Sequence, residues 1–182
     1  CPPCPTRRSC DLTALGTSVV IPAAAASAPV TVSALNDADV EGNETVILTV
    51  AAGAGYAVGS PASDTVTIQD DDATVTVAAS DATAGEPGSG SGTGTFTVTR
   101  AGFLGAALTV NYTVGGTATS GSDYTALGTS VVIPAAAASA PVTVSAIDDP
   151  DVEGNETVVM TLAAGSYVVG SPSAATVTIQ DD

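Results

Sequence analysis

The chain has no histidine, no lysine and no tryptophan, and only three arginines, Arg7, Arg8 and Arg100, among its 182 residues. Without His a Ser–His–Asp relay cannot be assembled, and without Lys no Schiff base can form, so the common routes of nucleophilic catalysis are closed. Four Tyr and two Phe leave little from which to build a stacking platform for sugars. Nineteen Asp and Glu against three Arg give a formal charge of −16. That charge repels phosphate backbones and anionic headgroups, which argues against nucleic acid as a partner. No apolar run reaches the roughly 18 residues that a helical membrane span needs. The most apolar stretch, VVIPAAAASAPVTVSA, is broken by Pro22 and Pro29. No secretory signal is present and the chain opens on Cys1, the pattern expected of a processed product or a part of a longer protein.

Cysteine is also scarce. Cys1, Cys4 and Cys10 all lie in the opening CPPCPTRRSC. One Cys-x-x-Cys pair, with no second pair and no His, does not complete a zinc site. A local disulfide or an incidental tail is the plainer reading of residues 1–10, with a lipid-modified Cys1 or metal ligation as the alternatives.

What the chain does contain is apolar and repeated. Apolar residues make up 45% of it, enough for a packed core and too many for a disordered acidic tract. Thr13–Ala34, TALGTSVVIPAAAASAPVTVSA, recurs unchanged as Thr125–Ala146. The match continues through Val40–Val46 and Val152–Val158, then through TVTIQDD after a one-residue gap before Tyr56 and Tyr167. One full repeat therefore covers residues 73–182, and residues 11–72 form the back portion of another whose front is missing. Within the full repeat, Thr and Val alternate in short segments between turn residues. This pattern predicts strands at 73–79, 94–100, 107–114, 130–134, 140–147, 157–164 and 175–181, with Val inward and Thr outward. Seven short strands in such a length predict an all-β antiparallel sandwich, and the partial repeat should hold the last four of them. GSGSGTGT at 88–95 looks like a phosphate loop, but no helix follows it, so it reads as a loop before the second strand.

The acids are not spread over strand faces. In the full repeat they sit at Glu86, Asp123, Asp148, Asp149, Asp151, Glu153, Glu156, Asp181 and Asp182. In the partial repeat they sit at Asp11, Asp37, Asp39, Glu41, Glu44, Asp70, Asp71 and Asp72. Those 9 + 8 positions account for 17 of the 19 acids, and only Asp64 and Asp81 fall elsewhere. All 17 belong to loops or strand ends, which a sandwich can gather at one end. Clustered carboxylates without nitrogen or sulfur donors suit a hard cation, and Ca²⁺ takes six to eight oxygens. The bland alternative is that Asp and Asn merely terminate strands, since both favour turns. DPDVEG from Asp149 imitates the start of an EF-hand loop. However, the twelfth position would be Met160 where that loop needs Glu, and strands flank it. The acids also suggest a glycosidase pair, but the shortage of aromatics and their loop placement speak against an enzyme. Asn-x-Thr triplets at Asn43, Asn111 and Asn155 are candidate glycan acceptors in a secreted protein. Two of them lie inside the acidic loop, where a glycan would crowd a metal.

GSDYTAL (121–127), GTSVVIPA (128–135), IDDPDVEGNET (147–157) and GSPSAATVTIQDD (170–182) together resemble the Calx-beta repeat family. That module occurs in sodium–calcium exchangers, in an integrin β subunit and in large bacterial-type surface proteins. The resemblance implies tandem seven-stranded Greek-key (Ig-like) sandwiches, the first one incomplete, with calcium held in the loops of one end. By position it implies side-chain ligands at Glu86, Asp123, Asp148, Asp149, Glu153, Glu156, Asp181 and Asp182, while Asp151 falls where the family offers a backbone carbonyl. Pro150 stands where strong binders carry an acid, and no third Asp follows Asp182. In the partial repeat Asn36 replaces the first loop Asp, and Glu86 has no counterpart. The implied role is a calcium-binding structural repeat of an extracellular or cell-surface fibre, filament or stalk, without catalytic activity. Its expected partners are other copies of itself or adjacent repeats, joined head-to-tail. The competing role is an adhesin or calcium-sensing recognition module, which would want exposed aromatic or Arg hot spots.

Overall fold

Thr–Val alternation forms strands only where a neighbouring strand can complete the hydrogen-bond ladder, and the two repeats of this chain separate on that point. The computed structural model describes residues 12–36, 40–86, 88–90, 92–148, 150 and 152–182. Asp11, Asp37, Asp39, Asp149 and Asp151, together with Cys1, Cys4 and Cys10, lie outside the described residues. The chain divides into two units, Cys1–Asp70 and Asp71–Asp182. No helix among the described residues is long and apolar enough to cross a membrane.

In the first unit two strands form among the described residues, β1 (Glu44–Thr49) and β2 (Ser63–Ile68). They pair antiparallel from Glu44↔Ile68 to Thr49↔Ser63. The sequence pattern predicts four strands here. The other two, at 18–21 and 27–33, are not formed, although their residues are those of strands in the second unit.

Among the described residues the second unit carries nine strands. These are β3 (Ala73–Asp81), β4 (Thr83–Gly85), β5 (Thr93–Gly102), β6 (Leu108–Gly116), β7 (Ser130–Ile133), β8 (Ser139–Ser145), β9 (Glu156–Leu162), β10 (Val168–Val169) and β11 (Ala174–Gln180). Seven match the alternating segments read from the sequence. β4 and β10 are additions, each too short to show a period of two, so the expected count of seven is corrected to nine. One sheet has the order β10-β3-β5-β8 and the other β4-β11-β9-β6-β7. β10 on β3 and β4 on β11 are parallel pairs at sheet edges, and the remaining pairs are antiparallel.

The inner faces of the two sheets make one core. Val75 and Val77 of β3, and Phe96 and Val98 of β5, are buried on one side. Val110 and Tyr112 of β6, Val158 and Met160 of β9, and Val177 and Ile179 of β11 are buried on the other. Each buried aliphatic side chain contributes about 1.5–3 kcal/mol relative to exposure. Burial raises the Tyr112 hydroxyl above its ordinary pKa, which keeps it neutral inside the core. Arg100 of β5 is buried too, at the end of the sandwich away from the acids. Its guanidinium donates from Nε to the Ala137 carbonyl at 3.0 Å, from Nη1 to Ala106 at 2.7 Å, and from Nη2 to Pro134 at 2.9 Å and Leu104 at 3.3 Å. A cation so placed ties two loops together and is unavailable to neutralise the carboxylates.

Candidate metal centre

The register of the strands gathers four separated segments at one end of the second unit. β3 ends at Asp81 and runs through β4 into Glu86, whose amide donates to the Gln180 carbonyl at 2.9 Å. That bond sets Glu86 beside the end of β11, where Asp181 and Asp182 follow. The loop after β6 is held against β9 by two threonines. Thr157 N donates to Thr117 Oγ1 at 2.9 Å, and Thr117 N donates to Thr157 Oγ1 at 3.2 Å. Gly116, at φ 121, lets the loop approach the Thr157 carbonyl more closely than any Cβ would allow. The same loop carries Asp123, whose carboxylate accepts the Thr119 amide. Ile147 N donates to the Asp123 carbonyl at 3.0 Å, so the loop that starts with Asp148 leaves β8 directly beside Asp123.

Two groups of three carboxylates result. Glu86, Asp148 and Asp182 form one, and Asp123, Glu153 and Glu156 form the other, each offering oxygens within 4.8 Å of one another. Glu86 and Asp123 are buried, Glu156 is half-buried, and Asp148, Glu153 and Asp182 are exposed. Two oxygens that share a Ca²⁺ at 2.3–2.6 Å stand no more than about 5 Å apart, so both groups match the spacing of a shared ion. All six donors are carboxylates, the set a hard divalent cation prefers. At about 4.8 Å a pair of ionised carboxylates repels by between about 1 kcal/mol in water and about 3.5 kcal/mol at an effective dielectric of 20.

Asp181, expected as a ligand, belongs to neither group of three. Its Oδ2 accepts the Glu153 amide at 2.9 Å, fixing the acidic loop to the end of β11. In the first unit the equivalent Asp70 does the same, accepting the amides of Glu41 and Gly42 at 3.1 and 2.9 Å. Asn43 Oδ1 in turn accepts the Asp70 amide. Among the described residues, Glu41, Glu44, Asp70, Asp71 and Asp72 enter no group of three carboxylates.

Sequence reasoning passed over the residues that support the acids. Ser89 Oγ donates to the Gln180 carbonyl at 2.9 Å and sits within reach of the Glu86 carbonyl at 3.1 Å. Gly88, at φ 120, lies where a Cβ would come within 2.8 Å of Asp182 Oδ2. These residues belong to the Gly/Ser run read as a plain loop. The one signal was its position directly after Glu86.

A family model for the Calx-beta domain matches residues 10–72 and 74–182. No curated protein sequence matches the chain. Among solved structures, the apo-form Calx CBD1 domain is similar at 23% identity and a TM-score of 0.50, over 61% of this chain and 98% of its own. That likeness is one of fold. CBD12 from CALX1.2 matches at 23% identity and a TM-score of 0.49, over 60% of this chain and 45% of its own. The calcium binding domain CBD12 of CALX1.1 matches at 24% identity and a TM-score of 0.48, over 58% of this chain and 44% of its own. With the family model matching nearly the whole length, the chain belongs to the Calx-beta family.

Proposed function

We propose that the unit of residues 71–182 is a calcium-binding structural module of an extracellular fibre, filament or surface stalk. The observation that carries this reading is the pair of carboxylate groups, one of Glu86, Asp148 and Asp182 and one of Asp123, Glu153 and Glu156. Ca²⁺ supplies positive charge that removes the repulsion within each group. The chain's own residues supply the rest. Thr117, Thr157, Ser89 and Asp181 hold the loops in register, so that the ion finds ligands from four different segments already gathered. An end cross-braced in this way resists fraying, the property a load-bearing repeat needs. The near-identity of the two repeats favours an array built for length over a surface diversified for recognition. Adjacent repeats are the partners this reading expects, and its site is the cell surface or beyond.

The test is a calcium titration of the full chain followed by thermal melting. A ligand that binds only the folded state adds about 2.7 kcal/mol at a hundredfold excess over Kd. The melting temperature of the second unit should rise by several degrees with calcium and fall back with chelator. An unchanged melt would remove the metal from the reading.

A further inference from the structure

Building on the calcium reading above, we propose that Asp181 is a positioning residue for the group of Asp123, Glu153 and Glu156. It acts on Glu153 through the backbone amide and not as a ligand of the ion. Asp181 Oδ2 accepts the Glu153 amide at 2.9 Å. That bond engages the main chain of Glu153, while its side chain offers an oxygen beside those of Asp123 and Glu156. Asp181 itself joins neither group of three carboxylates, whereas its neighbour Asp182 joins the one with Glu86 and Asp148.

The same bond is made twice in the chain, and the hairpin registers explain why. β9 with β11 aligns Glu156 with Ile179, and β1 with β2 aligns Glu44 with Ile68. Carried two residues beyond those pairs, each ladder sets the Asp that follows Gln against the Gly of EGNET. Asp181 then faces Gly154, and Asp70 faces Gly42. Asp70 Oδ2 accordingly accepts the Glu41 and Gly42 amides at 3.1 and 2.9 Å. It does so although Glu41, Glu44 and Asp70 enter no group of three carboxylates among the described residues. The latch is therefore a product of the hairpin and not of a carboxylate group. A ligand role would not account for it in both places.

Glu153 lies between β8 and β9, outside any strand. Fixing such a residue costs conformational entropy, and an amide bonded to a carboxylate makes the stronger, charge-assisted kind of hydrogen bond. With Glu153 already held, an ion has less of the loop to order, and binding is tighter for it. The amide requires only an acceptor. Asn at 181 supplies one and Ala supplies none. An Asn whose oxygen sits on the amide has no second oxygen to give an ion. The two substitutions therefore separate a latch from a ligand.

The test uses the full chain, with calcium binding read by calorimetry and, in chelator, hydrogen exchange of the Glu153 amide read by NMR. Asp181→Ala should weaken calcium binding and speed Glu153 exchange, each by at least about tenfold. Asp181→Asn should rescue both to within about twofold of the unsubstituted chain. Asp182→Asn, the same change within a carboxylate group, marks the loss expected of a ligand, at least about tenfold in affinity. Asp181→Asn binding calcium as poorly as Asp181→Ala or Asp182→Asn would overturn the latch and make Asp181 a ligand. Equal Glu153 exchange in the Ala variant and the unsubstituted chain would overturn it as well, whatever calcium does. If the unsubstituted chain binds no calcium, the calcium reading falls, and the exchange in chelator still decides whether Asp181 holds Glu153.

Discussion

Ile21 and Ile133 occupy the same place in two identical 22-residue segments, yet one is 56% exposed and the other fully buried. Leu48 against Met160 shows the same contrast at 40% and 0%, and Tyr56 against Tyr167 at 57% and 8%. What survives in both units is local. The hairpin of β1 and β2 matches that of β9 and β11 residue for residue. Tyr56 OH donates to the Ala51 carbonyl at 2.8 Å, as Tyr167 OH does to Ala163 at 2.7 Å. Thr13 N reaches the Ser33 carbonyl at 3.0 Å, as Thr125 N reaches Ser145 at 2.9 Å. What is lost is every ladder that needs the front strands. Turns and hairpins close over a few residues, while a sandwich core needs two sheets.

The sharpest way to break this contrast is to truncate the side chain at the same position in both units. Met160→Ala opens a cavity between the sheets and should cost about 2–5 kcal/mol. Leu48→Ala removes a side chain already in water and should cost less than about 0.5 kcal/mol. Urea unfolding of the full chain, followed at each unit by hydrogen exchange, reads both. Equal losses would show that the first unit owns a core after all.

Next in size is Arg100. Replacing it with Met leaves the carbonyls of Leu104, Ala106, Pro134 and Ala137 without the guanidinium. The Leu104 and Pro134 carbonyls keep backbone donors in Ala136 N and Ala137 N, and a hydrogen bond from a charged group contributes about 1.5–3 kcal/mol, so the second unit should lose roughly 3 kcal/mol in total. Among the described residues the first unit has no such cation, and it should be unaffected by the change.

Calcium separates the units less strongly. Asp123→Asn and Glu153→Gln should weaken binding measured by calorimetry at least about tenfold, equivalent to about 1.4 kcal/mol or more. Asp81→Asn and Asp64→Asn, outside the carboxylate groups, should leave it unchanged. Similar losses in all four variants would mean that overall charge, and not a built site, governs the binding.

The smallest effect concerns one turn. Ala136 holds φ 63, a left-handed conformation that costs a non-glycine residue on the order of 1 kcal/mol. Ala136→Gly should raise the stability of the second unit by up to about 1 kcal/mol in a thermal melt. Ala24→Gly, at φ 66 in the same turn, should leave the melt unchanged, because no cooperative core depends on it.

The sequence by itself determined the all-β class, the repeat and the inward face of each strand. Val at every second position leaves Val75, Val77, Val158 and Val177 on one side, and a period of two admits no other partition. It also determined the turns, because Pro22 and Pro134 set identical bends wherever they occur. The placing of acids in loops was legible as well, since Glu86, Asp123, Asp148 and Asp182 all fall outside the alternating runs. Which acids share a group was not legible. Asp181 and Asp182 are neighbours in the chain, but pleating sends one to the Glu153 amide and the other to Glu86 and Asp148. Only the tertiary structure decided whether a segment becomes a strand at all. Ser18–Ile21 and Ser130–Ile133 carry the same propensities, and the difference is that β6 stands beside one and not the other. A strand's hydrogen bonds are made to another strand, so its existence is a property of the pair.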